Sequence, residues 1–285
     1  MATFYNQATL SYSGGVINSN VVTGELIEVL SAEKTAVDTS YTQGGDVTYV
    51  ISIVNGGTGA FTDLTVTDNL GAYEFGTPPV SLQPLTYVDG TVLYYVNGVL
   101  QPSPAVTAGD TLTVSGISVP AGGNAVIVYQ ARANQFAPIG AEGEITNTAE
   151  ISGGGLVAPI TVTETVGAAE GVSLSISKAI SPATVSDNGQ LTYTFVIENT
   201  GTEPAVATDD IVVTDTFDPI LDPITVTFNG ESWTEGTQYT YNEATGEFST
   251  VAGQITVPAA TVSQSPDGAW VITPGVAILR ITGTV

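Results

Sequence analysis

The sequence contains no cysteine and no histidine, and only 4 of its 285 residues are basic. Without cysteine there is no disulfide framework and no thiolate nucleophile. Without histidine there is no histidine general base, and an ordinary zinc or copper site lacks its usual ligand. These absences exclude most enzyme classes, so we expect no enzyme beyond a reaction that the chain carries out on itself. We also expect no cofactor and no metal.

Acidic residues dominate the charged positions. The 28 acidic residues against 4 basic ones give a formal net charge of −24. Such a chain cannot neutralise phosphates, so we expect neither a nucleic acid nor a membrane as partner. No stretch approaches the roughly 18 apolar residues of a spanning helix. Residues 1–10 also lack the basic start and apolar run of a signal peptide.

Short β-branched and aromatic segments follow one another along the chain. Examples are VTYVISIV at 47–54 and LTYTFVI at 191–197, and turn residues separate them at short intervals. Asn-Gly pairs at 97–98 and 229–230 follow apolar runs and favour tight hairpin turns. Helical periodicity is absent. The pattern predicts an all-β protein built from Ig-like or pilin-like β-sandwiches.

Two stretches of the chain, 30–70 and 174–217, repeat one pattern. Both continue into a strand that ends in Thr-Asp, LTVTD in the first and IVVTD in the second. The repeat predicts two tandem sandwich domains, over residues 29–168 and 169–285. The shared positions, at identical intervals, are Lys34, Tyr49 and Asn55 in the first copy and Lys178, Tyr193 and Asn199 in the second.

The two copies differ at their ends. The first copy closes with a hairpin over 145–164, whereas the second copy has no such hairpin after its last strand. Residues 4–25, which precede the first copy, superpose on that closing hairpin, with Asn6 on Asn147. We therefore predict an N-terminal donor hairpin over residues 1–28 and a second domain that lacks its last hairpin.

Neither incomplete piece is expected to be stable alone. An isolated hairpin is marginal, and a sandwich without two of its strands exposes an edge. Only about five residues join the hairpin to domain 1, a reach of roughly 17 Å, which is shorter than a sandwich domain. Domain 1 would stand between the hairpin and domain 2 of the same chain. The donor must then come from a neighbour, and a head-to-tail contact that does not close builds an open filament.

A lysine and an aspartate point towards the core of each predicted sandwich, because they share strand faces with aliphatic residues. An asparagine does the same on the closing hairpin of domain 1 and on the N-terminal hairpin. Apolar burial lowers a lysine pKa and raises a carboxyl pKa. The amine can then attack the asparagine amide, while the acid moves protons and ammonia leaves. We predict two Lys–Asn isopeptide bonds: Lys34 to Asn147 with Asp68, within domain 1, and Lys178 to Asn6 of the next subunit with Asp215, between chains.

The chain resembles a bacterial surface-protein repeat called domain of unknown function 11, which is related to the isopeptide-forming domains of Gram-positive pilins and adhesins. The resemblance covers nearly the whole chain. It is carried by Lys34 and Lys178, the strands GDVTYVISIVN and GQLTYTFVIEN, the VTD strand ends and the NTA turn at 147–149. It implies stacked sandwiches on cell surfaces and fibres, some with internal Lys–Asn bonds. The N-terminal copy of the turn reads NQA, and the second domain lacks the motif.

Other interpretations of these residues stay open. Each lysine could extend its amine to water at a strand end, the asparagines could hydrogen-bond turns, and the aspartates could cap turns. Asp209 and Asp210 could contribute to a calcium site, although no loop of spaced oxygen ligands accompanies them.

The sequence therefore favours a structural subunit of an extracellular bacterial fibre, either pilus-like or an appendage of a spore or cell surface. Its partners would be identical subunits joined head to tail. The alternative is a monomeric surface adhesin or ligand-binding module made of tandem sandwiches.

Overall fold

The structure is a computed structural model that describes residues 2–26 and 29–285. Its regular structure there consists of β-strands and one short 3-10 helix at Ala207–Asp209, so the predicted all-β sandwich class is confirmed. No helix in the described part of the chain is long and apolar enough to cross a membrane. Met1, Ile27 and Glu28 lie outside the described residues, and so does the predicted end of the donor hairpin at residue 28.

The first four strands form a hairpin that pairs, in the described part of the chain, with no other strand. Its antiparallel register places Asn6 opposite Val22 and Leu10 opposite Ile17. Because directly opposite residues share a face, Asn6 and Val22 lie on one side of the β1-β4 pair, and Leu10 and Ile17 lie together on one side of the β2-β3 pair. In chain order the strands are β1 (Ala2–Asn6), β2 (Thr9–Tyr12), β3 (Gly15–Asn18) and β4 (Val22–Leu26).

Contacts divide the chain into two compact units, each with its own core. The first comprises Met1–Glu74, Ser81–Asn134 and Ile145–Val166, and the second comprises Phe75–Val80, Gln135–Glu144 and Gly167–Val285.

Residues 30–168 supply two six-stranded sheets of the first unit. The strands of this stretch are β5 (Leu30–Ala36), β6 (Ser40–Tyr41), β7 (Asp46–Asn55), β8 (Phe61–Asp68), β9 (Tyr73–Phe75), β10 (Val80–Leu82), β11 (Leu85–Tyr87), β12 (Leu93–Val96), β13 (Val99–Leu100), β14 (Ala105–Ala108), β15 (Leu112–Val119), β16 (Asn124–Ala133), β17 (Glu144–Gly153) and β18 (Ile160–Ala168). Of these, β9 and β10 form a separate two-stranded sheet. One sheet runs β13-β12-β16-β7-β5, with β11 also on β16, and the other runs β14-β15-β8-β17-β18-β6.

Alternate residues of these strands are buried, as expected for sheets with one face on a core. In β7 the buried side chains include Tyr49, Ile51 and Ile53, and in β8 they include Leu64 and Val66. The period of two places every second residue of each strand in the space between the sheets. Any polar residue at such a position must then find its partners inside the sandwich.

The second unit has a five-stranded sheet, β19-β20-β28-β22-β23, and a three-stranded sheet, β21-β25-β24, together with the pair β26-β27. The strands are β19 (Leu174–Ser181), β20 (Gln190–Asn199), β21 (Thr214–Thr216), β22 (Ile224–Phe228), β23 (Glu231–Trp233), β24 (Tyr239–Asn242), β25 (Glu247–Thr250), β26 (Thr261–Gln264), β27 (Trp270–Thr273) and β28 (Gly275–Thr284). Its core includes Phe195, Phe217 and Phe248.

The two units share one arrangement of strands, except at a single position. The order β5-β7-β16 recurs as β19-β20-β28, and β8-β15-β14 recurs as β21-β25-β24. In the first unit β8 has β17 on its other side, followed by β18. In the described residues of the second unit, nothing pairs with that side of β21. All eight residues of β19 are exposed, whereas β5 buries Leu30 and Lys34.

Candidate cross-linking sites

Lys34 lies inside the first sandwich because it occupies an inward position of β5. Its side chain is 0% exposed, and its Nζ donates a hydrogen bond to Oδ2 of Asp68 at 2.6 Å. The same Nζ lies 4.9 Å from the centre of the Tyr49 ring, within the range of a cation–π contact. The amine therefore has one carboxylate partner and an aromatic wall in place of water.

Burial lowers the pKa of Lys34 from 10.5 to about 8, although the nearby carboxylates of Asp68 and Glu164 oppose the change. Desolvation disfavours the charged ammonium, which explains the direction. A lysine with this pKa yields its proton far more readily than an ordinary surface lysine. The neutral amine is the nucleophilic form, so burial prepares Lys34 for attack on a carbonyl carbon.

Asp68 ends β8 and is held through both of its oxygens. Oδ2 accepts hydrogen bonds from the amine of Lys34 and from the hydroxyl of Tyr129, each at 2.6 Å. Oδ1 accepts the backbone N–H of Leu70 at 2.9 Å. These bonds fix the carboxylate between the amine and the tyrosine hydroxyl, where it can exchange protons with both groups.

Asn147 lies fully buried on β17, with a partner at each end of its side-chain amide. Its Oδ1 accepts the backbone N–H of Gly71 at 3.2 Å, and its Nδ2 donates to the hydroxyl of Tyr129 at 3.2 Å. A backbone N–H on an amide oxygen stabilises the negative charge that develops there when a nucleophile attacks the carbon. The site thus holds the amide in an orientation suited to acyl transfer.

The N–H of Gly71 reaches Asn147 because the chain turns sharply after β8. Leu70 has a φ of 53° and Gly71 a φ of 72°, both in the left-handed region. The turn is fastened by Oδ1 of Asn69, which accepts the N–H of Gly71 at 2.9 Å and the N–H of Thr148 at 3.0 Å. A Cβ on Gly71 would lie only 2.5 Å from the side chain of Ile145, so glycine is required here.

Two tyrosines complete the site. The rings of Tyr49 and Tyr129 stack with their centres 5.5 Å apart, and their strands place the two residues opposite each other. Burial raises the pKa of both hydroxyls above the ordinary value, so both remain protonated. The Asn147 amide partly offsets this rise for Tyr49, yet the buried hydroxyl of Tyr49 makes no hydrogen bond of normal geometry.

A second acidic residue faces the site from β18. Threonine hydroxyls pair across β17 and β18 at Thr146–Thr165, 3.0 Å apart, and at Thr148–Thr163, 3.2 Å apart. This register puts Glu164 opposite Asn147. Its charge raises the pKa of Lys34 and so works against the effect of burial.

The second unit holds a matching but open site. Nζ of Lys178 donates a hydrogen bond to Oδ2 of Asp215, and it lies 4.3 Å from the ring centre of Tyr193. The Lys178 side chain is 40% exposed and that of Asp215 is 17% exposed. Beside them lies an open groove of about 490 Å³, lined by residues of β21, β24 and β25 that include Tyr241 and Glu247.

Asn6, the third predicted member of the second site, lies exposed on the N-terminal hairpin. It lies opposite Val22, which is 55% exposed, and Leu10 and Ile17 of the same hairpin are 59% and 55% exposed. The structure therefore brings Lys34, Asp68 and Asn147 together and joins Lys178 to Asp215. It places Asn6 on a separate apolar surface that nothing in the described residues covers.

The repeated asparagines of β7 and β20 have a structural role. Nδ2 of Asn55 donates to the carbonyls of Gly59 at 2.8 Å and Pro120 at 2.9 Å. Nδ2 of Asn199 donates to the carbonyls of Glu203 at 2.7 Å and Pro258 at 3.1 Å. These buried amides satisfy loop carbonyls that would otherwise lack partners, which explains the asparagine shared by the two copies.

The structure offers no support for the calcium alternative. Asp209 accepts the backbone N–H of Val206 at 2.7 Å, at the start of the short 3-10 helix. Over residues 2–26 and 29–285, no group of three or more acidic side chains is arranged to hold a metal ion.

Comparisons with known proteins do not identify this chain. No known family profile matches the sequence, and no curated protein is similar to it. Among solved structures, a variant of the major pilin subunit of Bacillus cereus is 11% identical, with a TM-score of 0.38 over 95% of this chain and 73% of the pilin.

A fragment of a major pilin of Streptococcus agalactiae is 13% identical, with a TM-score of 0.36 over 87% of this chain and 91% of the fragment. The collagen-binding domain of a Staphylococcus aureus adhesin is 14% identical, with a TM-score of 0.30 over 50% of this chain and 99% of the domain. With such low scores and identities, these similarities do not reveal what this chain binds or builds. The resemblance to the surface-protein repeat family stays a prediction.

Proposed function

We propose that this protein is the structural subunit of an extracellular bacterial fibre and polymerises head to tail by donating its N-terminal hairpin. The observation that carries the proposal is the side of β21 that has no neighbouring strand among the described residues, where β17 lies in the first unit. The fibre would be pilus-like or an appendage of a spore or cell surface. The chain would act as no enzyme except on itself.

The hairpin has the pattern that the open position requires. On β17 the residues Asn147, Ala149 and Ile151 are buried against the sandwich. On the hairpin, Asn6, Ala8 and Leu10 have the same spacing. A hairpin added to β21 would gain backbone hydrogen bonds along an open edge, as in other cases of strand addition.

The pairing of β8 with β17 predicts the register of the added hairpin. Ala149 lies opposite Asp68, and Ile151 lies opposite Val66. By analogy Ala8 of the donor would lie opposite Asp215. That register brings Asn6 of the donor to the place that Asn147 occupies beside its own lysine.

Docking would also cover apolar surface on both partners. The hairpin exposes Leu10 and Ile17, and β19 exposes Leu174, Ile176 and Ile180. Complete burial of one such side chain contributes about 1.5–3 kcal/mol, so even partial burial of several supports binding. The amine of Lys178 would lose its contact with water in the same step.

The docked hairpin would then be fixed by a covalent bond. Nζ of Lys178 bonds to Cγ of Asn6, the bond from that carbon to Nδ2 breaks, and ammonia leaves. Asp215 moves the protons, as Asp68 does in the internal reaction of Lys34 with Asn147. One bond would strengthen each subunit and the other would join subunits.

The test is electrophoresis of assembled fibres after boiling in detergent. We expect a ladder of multimers from the wild type. The Lys178→Arg variant keeps the positive charge but cannot form the amide, so it should give fibres that dissociate to monomers. Lys34→Arg is the matched control and should keep the ladder.

Monomers alone from boiled wild-type fibres would exclude the bond between chains. Deletion of residues 2–26 should abolish assembly, and fibres from that truncated chain would exclude hairpin donation. A wild type that stays monomeric in solution would instead favour the adhesin or binding-module alternative.

A further inference from the structure

We infer that Tyr129 is a catalytic residue of the internal cross-link, which carries a proton from Asp68 to the amide nitrogen that leaves Asn147. The inference rests on the proposed Lys34–Asn147 bond. Sequence patterns did not single out Tyr129. Its hydroxyl nevertheless contacts both the acid and the leaving atom of the reaction.

Three hydrogen bonds form a continuous path from nucleophile to leaving group. Nζ of Lys34 and Oδ2 of Asp68 are 2.6 Å apart, and the same Oδ2 lies 2.6 Å from the hydroxyl of Tyr129. That hydroxyl lies 3.2 Å from Nδ2 of Asn147. The carboxylate's other oxygen is taken by the N–H of Leu70, so the described hydrogen bonds link Asp68 to the leaving nitrogen through the tyrosine.

This path accounts for every proton transfer that the reaction requires. A proton passes from Lys34 to Asp68, and the neutral amine attacks Cγ of Asn147, whose oxygen is stabilised by the N–H of Gly71. Asp68 gives its proton to Tyr129 as the hydroxyl gives its own to Nδ2. The Cγ–Nδ2 bond then breaks, and the second proton of the attacking nitrogen returns to Asp68. The products are one secondary amide and one ammonia, with Tyr129 unchanged.

A purely structural role for Tyr129 makes a different prediction. Its ring fills the core and stacks on Tyr49, and phenylalanine would preserve that packing. Tyr49 supplies the matched control, because its hydroxyl is buried in the same aromatic pair but makes no hydrogen bond of normal geometry. If only packing mattered, loss of either hydroxyl would have similar consequences for the reaction.

The second unit has an apolar residue where the first has Tyr129. Tyr49 lies opposite Tyr129, whereas its counterpart Tyr193 lies opposite Ile281. Phe217 supplies the second aromatic ring instead, because it stacks on Tyr193 with the ring centres 4.9 Å apart. Phe217 follows Asp215 by two residues, as Leu70 follows Asp68. The site between subunits therefore lacks the tyrosine relay, and we expect it to react more slowly than the internal site.

The experiment measures the rate at which the full-length chain loses one ammonia at Asn147. Newly made protein is kept unfolded in urea and then diluted to start folding, and intact and peptide masses are recorded over time. Tyr129→Phe should slow the reaction about 100-fold or more, the range that general acid–base groups contribute. Tyr49→Phe should react at the wild-type rate.

Each result distinguishes this inference from the proposed function. If the wild type loses no ammonia at Asn147, the internal cross-link itself is wrong. If the wild type reacts and folded Tyr129→Phe reacts equally fast, the cross-link stands and the relay is wrong. Equal slowing by Tyr129→Phe and Tyr49→Phe would also overturn the relay and assign both residues to packing.

A reciprocal change tests the relay by gain of function. The double variant Phe217→Leu and Ile281→Tyr gives the second unit the residues of the first at both positions. It should accelerate the bond between Lys178 and a donated hairpin by about 100-fold. An unchanged rate in the folded double variant would contradict the relay independently of the phenylalanine test.

Discussion

Around Lys34 the strands β17 and β18 complete the second sheet, and the lysine side chain is 0% exposed. Around Lys178 the equivalent position beside β21 is open, and the lysine side chain is 40% exposed. The lysine, the aspartate and the tyrosine ring beside the lysine, Tyr49 or Tyr193, are common to both sites. The presence of one pair of strands at the first site and its absence, among the described residues, at the second therefore distinguish the closed site from the open one.

Under the proposed function, the same reaction serves two purposes in the two units. In the first unit the closing strands belong to the same unit, so folding alone brings the asparagine to the amine. On the same proposal, the reaction in the second unit waits until a hairpin arrives. Under the proposed function, the timing of each bond follows from where the closing strands come from, because burial activates the amine.

The largest expected effect comes from moving the hairpin. We expect that residues 2–26, transferred behind Val285 through a copy of segment 134–143, complete the second unit of their own chain. The variant should be monomeric in size-exclusion chromatography and show no fibres in electron microscopy. The control keeps the N-terminal hairpin and appends a copy with Leu10→Asp and Ile17→Asp, which should still form fibres. Fibres from the first variant would contradict donation.

A second prediction compares the two lysines in an Asn147→Ala background, where no internal bond can form. Lys34→Met should lower the free energy of unfolding by about 3–5 kcal/mol, because it leaves the carboxylate of Asp68 buried without its partner. Lys178→Met should lower it by no more than about 1 kcal/mol, since that pair is partly hydrated. Urea titrations of both variants provide the measurement, and equal losses would mean that the two sites are equally closed.

A third prediction concerns pH. Lys34 interacts with Asp68, Glu164 and the ring of Tyr49, Asp68 in turn accepts the hydroxyl of Tyr129, and burial lowers the pKa of Lys34 to about 8. Below pH about 8 the pair of Lys34 and Asp68 holds the proton that Asp68 passes to Tyr129. Above that pH the pair has lost this proton, so the relay has none to deliver. The internal cross-linking rate should be flat up to pH about 8 and then fall about tenfold per unit.

The ammonia-loss assay over a pH series provides the measurement. A rate that instead rises through pH 8 would mean that Asp68 acts as a base towards an amine that is already neutral. Stability of the uncross-linked Asn147→Ala protein should change in the opposite sense. Because the unfolded lysine holds its proton up to a higher pH, the free energy of unfolding should rise as pH increases above about 8.

The smallest predicted effect is one that the two units share. Asn55→Ala and Asn199→Ala each remove a buried amide that satisfies loop carbonyls. Each should cost about 1–3 kcal/mol, the penalty for buried polar groups left without partners. Thermal unfolding should give similar losses for both variants, and neither should prevent cross-linking. A clear difference between them would mean that the repeated asparagines have diverged in role.

The sequence was sufficient to predict the all-β class and the grouping of Lys34 with Asp68 and Asn147. Side chains alternate along strands, so inward positions can be counted, and the repeat aligned the two copies at Lys34 and Lys178. The missing hairpin of the second copy predicted an open edge in that domain, whereas the exposure of the whole of β19 was not predicted. These inferences needed only local periodicity and comparison of the chain with itself.

The parts that were missed depend on pairing between distant segments. Tyr129 faces the site only because β16 lies beside β7 in a particular register, which no local pattern encodes. The N–H of Gly71 reaches Asn147 through a left-handed turn at Leu70, a conformation unusual for leucine. Glu164 joins the site through the register of β17 with β18.

The most direct measurement mixes two isotopic forms of the subunit. Equal amounts of unlabelled and fully ¹⁵N-labelled chains are combined unfolded, allowed to assemble and digested, and the peptides that link residue 6 to residue 178 are weighed. If each chain is completed by another, half of these peptides will combine a labelled Asn6 segment with an unlabelled Lys178 segment or the reverse, and all will lack one ammonia. Linked peptides of one isotope only would show that the hairpin closes on its own chain, and their complete absence would contradict the covalent joint between subunits.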